Sequence, residues 1–117
     1  MSLEATLTAI LKSVSPRVFA DFAPTTTQRP YITFQQIGGE VIQTLANEVA
    51  SKENADMQIS VWADSRTAAK TAIKQIEAAI VASPEFVARQ QGAAVSDYDA
   101  DMERYCSRQD FSIWADR

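Results

Sequence analysis

Four acids stand at every second position of Asp97-Tyr98-Asp99-Ala100-Asp101-Met102-Glu103, and carboxylates at the first, third and fifth places of a run are how a calcium loop begins. The remainder of such a loop is missing, because Met102 stands where the sharp turn requires glycine and Arg108 where a bidentate glutamate belongs. Read as a strand, the same spacing sets all four acids on one water-facing side, where they discourage pairing with another sheet. Cys106 is the lone cysteine, so no internal disulfide is possible, and the acids near it raise a thiol pKa, so it reads as a small packing residue in mid-strand. The chain has no histidine, which removes the commonest general base and most zinc sites. Gly38-Gly39 leads into neither a helix nor a Lys-Ser/Thr pair and reads as a turn or bulge, not a phosphate-binding loop. No catalytic residue, metal site or cofactor is expected.

Two features suit binding better than reaction. Arg66, Lys70 and Lys74 recur at helical spacing, either as an ordinary solvated face or as a stripe for a partner. More telling is a phrase that occurs twice, Val61-Trp62-Ala63-Asp64-Ser65-Arg66 and Ile113-Trp114-Ala115-Asp116-Arg117. Each phrase closes an alternating run, and with Met57, Ile59, Val61, Phe111 and Ile113 facing a core, the period of two sends Trp62 and Trp114 to the opposite face of the sheet. Large aromatics there imply a cover, supplied either by the same chain or by a partner, for which rigid aromatic surface is well suited.

A length of 117 residues with 46% hydrophobic content makes one domain with a single modest core. The net charge of −4 and a pI near 4.7 argue against nonspecific nucleic-acid binding. No apolar run reaches the roughly 20 residues of a membrane span, and Met1-Ser2-Leu3-Glu4 lacks a signal-peptide layout, so the expectation is a soluble, cytosolic chain when made.

The elements that must position these residues follow from periodicity. Leu3, Leu7, Ile10, Leu11 and Val14 predict a first helix stopped by Ser15-Pro16, with Phe19 and Phe22 packing just beyond it. A polar loop at 24–30 leads to a strand over 31–37; residues 40–45 read as a weaker strand and 46–54 as a mobile polar loop. A strand over 57–63 runs into Asp64 or Ser65 as N-cap of a helix burying Ala69, Ala72, Ile73, Ile76, Ala79 and Ile80, ended by Ser83-Pro84. Phe86 and Val87 anchor a connection to two strands at 93–102 and 104–115. The order predicts an α+β domain over 1–117, a mostly antiparallel sheet of four to five strands with both helices on one face.

Arg29-Pro30-Tyr31-Ile32, Gln36-Ile37-Gly38-Gly39-Glu40, the run from Gln58 to Arg66 ahead of an Ala-rich helix, and Arg104-Tyr105 through Phe111-Ser112-Ile113-Trp114 together give the chain a family likeness. In this order they resemble the tail terminator (tail completion, minor tail) proteins of long-tailed bacteriophages and prophages. The likeness spans most of the chain and thins over 85–101. It implies a structural protein, not an enzyme, that assembles as a ring, commonly a hexamer, ending the tail tube and offering the surface that joins the head. Implied partners are further copies of the chain, the tail tube protein and the head–tail connector, with no nucleic acid or membrane, in the host cytoplasm during assembly and then in the virion tail. Trp62, Asp64, Arg66 and Trp114 match the strand-end pattern and, with Tyr31 and Arg29, are the expected subunit or partner interface. Two other readings stay open: another connector or tail assembly protein, and a small cytosolic binding module or enzyme, which would show a deep pocket of convergent polar groups.

Overall fold

Leu3, Leu7 and Leu11 line one stripe of the first helix, α1 (Leu3–Lys12), whose Ser2 hydroxyl accepts from the Ala5 N–H as its N-cap. The computed structural model describes residues 2–41 and 51–116. Further along are the strands β1 (Val18–Ala20), β2 (Tyr31–Gly38) and β3 (Lys52–Ala63), helix α2 (Arg66–Ala82), then β4 (Val87–Gln90), β5 (Val95–Asp99) and β6 (Arg104–Asp116). Ser65 caps α2 through the Ala68 N–H, and the helix ends at Ser83 before Pro84.

The sheet runs β1-β2-β3-β6-β4, with β5 also on β6; β1 lies parallel to β2 and every other pairing is antiparallel. Its centre is the long β3–β6 ladder, in register from Lys52↔Asp116 to Ala63↔Tyr105. Alternation along it buries Met57, Ile59, Val61, Phe111 and Ile113 completely or nearly so beneath both helices, with Leu7, Leu11, Ile73, Ile76 and Ile80 closing one core. The α+β class with two helices on one face is as expected, and no helix among the described residues is long and apolar enough to cross a membrane.

Several local expectations are corrected. Helix α1 stops at Lys12, and Val14 packs on the core from beyond it. Among the described residues the sheet has six strands because β1, only three residues long, is held by the register Val18↔Ile32, and because a separate β4 precedes β5. Lys52, Glu53 and Asn54 continue β3, because β6 is long enough to pair with them, so they are not loop. Glu40 and Val41 lie outside any strand, and the rest of the expected strand and loop, 42–50, lies outside the described residues. Ala72 and Ala79 are half-buried on α2, Phe86 is buried, and Phe22 and Val87, expected to pack, are 78% and 70% exposed. The expected strand at 93–102 is confined to Val95–Asp99, so Asp101 and Glu103 fall in a turn and not on a shared strand face.

Gly39 closes β2 with a φ of 151°, and an added Cβ there would collide with the backbone carbonyl oxygen of Asn54. Since the obstacle is backbone of a central strand and cannot swing aside, Gly39→Ala is expected to cost about 1–3 kcal/mol, read as a lower midpoint in urea with an unchanged slope.

Candidate assembly surfaces

The period-two reading of the tryptophans holds: the register places Trp62 opposite Tyr31 and Cys106, and Trp114 opposite Asn54, all on the sheet face away from the helices. Among the described residues no helix covers that face, and its middle is polar, with Thr33, Gln35, Gln58, Arg108, Asp110 and Ser112 half-buried or exposed. The two indoles stand eight residues apart along the ladder, roughly 26 Å at the rise of a strand. They are therefore separate features.

Trp62 is built into a cluster. Its ring stacks on Tyr31 at 6.3 Å between centres and 23° between planes, and Phe19 meets Tyr31 edge-on at 6.4 Å. The Arg104 guanidinium lies 4.1 Å from the centre of the indole, whose N–H donates to Thr33 Oγ1 at 3.2 Å. Arg104 also donates to the Tyr31 hydroxyl and, through Nε, to Asp99 at 3.0 Å. Arg29 reaches from the start of β2 to the Glu103 carbonyl at 2.9 Å and to Asp64 at 3.2 Å, tying the β5–β6 turn to the entrance of α2. Four expected residues, Arg29, Tyr31, Trp62 and Asp64, thus gather at one end of the molecule. Arg66 projects from α2 on the helix side, and Trp114 stands at the far end among Asn54, Ser112 and Val87, with no aromatic or cationic partner among the described residues. Phe19, expected to pack beyond α1, and Arg104, part of the family likeness, join this cluster although neither is among the expected interface residues; the register finds Arg104 only once the turn before it is fixed.

Two of the four acids of the alternating run are engaged. Asp97 pairs with Arg108 at 2.9 Å, and Asp99 pairs with Arg104 while its Oδ1 accepts the N–H groups of Asp101 and Met102. Desolvation pushes the Asp99 carboxyl up, but the Met102 N–H and the Arg104 hydrogen bond and charge outweigh it and hold the pKa below the ordinary 3.8. A lowered carboxyl contributes stability that is complete above 3.8 and is lost as pH falls through its depressed value. Amide exchange at Asp101 and Met102 is therefore expected to lose protection below about pH 4 in wild type, whereas Asp99→Ala should show weak protection at every pH. Cys106 is 2% exposed, and burial raises its thiol pKa above 9.0 against the opposing charge of Arg108, which leaves an unreactive packing residue.

On the helix side, β4 and β5 follow one edge of β6 with a break between them: Gln90 faces Phe111 and Val95 faces Arg108, so residues 91–94 span only Gln109 and Asp110. The surplus bulges outward at Gly92, φ 89°, whose carbonyl accepts from Gln109 Nε2 at 3.0 Å. Between this bulge and α2 opens a groove of about 1000 Å³, walled by Arg66, Lys70 and Lys74 and floored by Ile73, Ser107 and Gln109. Gln109 is 3% exposed, and its Oε1 accepts no hydrogen bond among the described residues. An orphaned buried carbonyl costs about 1–3 kcal/mol.

The described residues form a small α+β body with one sheet face that no helix covers and a cation-walled groove on the other side. The chain matches the model of the tail completion protein gp17 family over residues 3–116, and it belongs to that family of phage tail structural proteins. Among curated proteins none matches the chain.

Proposed function

We propose that this chain forms a closed ring, with six copies the expected number, which ends the phage tail tube and presents the surface that joins the head. The observation that carries the reading is the family match across almost the whole chain. The uncovered sheet face, where Trp114 lacks the internal support that Trp62 enjoys, supplies the contact with the tube protein. The Tyr31, Trp62, Arg29 and Asp64 cluster gives shape to the opposite end, and Arg66 serves contacts between copies. The work is self-association and stacking, with no reaction to perform, carried out in the host cytoplasm before the ring becomes part of the virion tail. A ring requires heterologous contacts, one patch meeting a different patch on the next copy, with closure set by the rotation between them.

The test is solution mass by light scattering on a sizing column, across protein concentration and with isolated tail tubes added. A closed species near six times 12.9 kDa, alone or at tube ends, is the expected result. A chain that stays monomeric and never binds tubes would overturn the reading.

A further inference from the structure

We propose that the groove between α2 and the β4–β5 edge receives the acidic β5–β6 turn of a second copy of the chain. The inference rests on the ring reading and supplies the two unlike patches that such a ring requires.

The groove asks for an occupant of particular chemistry. Arg66, Lys70 and Lys74 all enter its wall, and among the described residues none takes part in an ion pair and Glu77 is the only acid in the lining. Gln109 in its floor has a buried Oε1 that accepts no hydrogen bond among the described residues. A bare polyanion such as a nucleic-acid backbone satisfies the cations but brings no hydrogen to that oxygen. A polypeptide carrying carboxylates satisfies both, because its backbone N–H groups are donors.

The densest acidic run in the chain is Asp97 to Glu103. Within it Asp97 and Asp99 are spent on Arg108 and Arg104, which leaves Asp101 and Glu103 exposed and unpaired among the described residues. The turn is already shaped by the two N–H bonds to Asp99, by Glu103 at φ 49° and by Arg29 on the Glu103 carbonyl. A preformed turn loses little freedom on docking, which favours its use as the inserted patch.

The test is zero-length carbodiimide cross-linking of the full chain, mixed half and half with isotopically labelled chain, at millimolar concentration and low salt. Bridges of Lys70 or Lys74 to Asp101 or Glu103 between light and heavy copies are expected, with the Lys74 bridges falling severalfold in Arg66→Gln/Lys70→Gln, which keeps both reacting groups, and in high salt. These are surface substitutions, and circular dichroism confirms that the variant is folded. Bridges elsewhere only, or no bridges between copies, would overturn the proposal. So would capture of a single-stranded DNA oligonucleotide that depends on Lys70 and Lys74 without any bridge between copies, since the groove would then serve nucleic acid. Light scattering on the same samples separates the two readings. Closed rings bridged elsewhere sink the groove and keep the ring, whereas groove bridges in open chains do the reverse.

Discussion

Replacing Phe111 with alanine is expected to destabilise the fold by about 3–5 kcal/mol, the range for an aromatic removed from a closed core. Phe111 is fully buried in mid-β6, opposite Met57 on β3 and Gln90 on β4, in the same cluster as the leucines of α1 and the isoleucines of α2. Few neighbours can collapse into the space, because β3 and β6 are fixed by a ladder on both sides of the site. Against a total stability of about 5–15 kcal/mol the loss is severe. It corresponds to a melting temperature lower by about 12–20 °C for a chain of this size. Phe111→Leu, which retains most of the volume, should recover more than half of it. A fall of only a few degrees for the alanine variant would mean that the sheet and helices are less tightly joined than the burial of Phe111 requires.

The residues that made this core legible in the sequence are those whose periodicity is enforced by burial on one side. The stripes Leu3, Leu7, Leu11 and Ile73, Ile76, Ile80, and the alternation in β2, β3 and β6, follow directly from a sheet with helices on one face. What could not be read was held by pairing alone. Val18, Phe19 and Ala20 are extended because β2 is beside them, and Lys52 to Asn54 because β6 overhangs them; neither segment carries a hydrophobic pattern of its own. Residues 91–94 hide the true ends of β4 and β5, since a bulge changes the phase and both edge segments are largely exposed on both faces. The same logic divides the candidate surfaces. The phase of Trp62 and Trp114 needs only the period of two, and the cation stripe of α2 only the helical period. The Arg104 contact and the groove wall depend on a turn and a bulge that have no signature in one sequence.

Trp62→Ala and Trp114→Ala are expected to separate, although the two residues share a phrase and a face. Trp62 loses three supports at once, the stack on Tyr31, the Arg104 guanidinium over its ring and the bond to Thr33, in a place that joins β2, β3, β5 and β6. The change should cost about 2–4 kcal/mol and lower the melting temperature by about 8–16 °C. Trp62→Phe should recover the stack but not the bond. Trp114 is half-buried without an aromatic or cationic neighbour among the described residues, so its removal should cost about 1 kcal/mol in the isolated chain. On the proposed tube contact, desolvated aromatic anchors contribute about 2 kcal/mol or more, so binding to tail tubes, read by co-sedimentation, should weaken at least tenfold. Equal melting of the two variants would show that Trp62 is no better supported than Trp114. Unimpaired tube binding by folded Trp114→Ala would remove the uncovered face from the tube contact, while leaving the groove on the helix side to be judged by its own test.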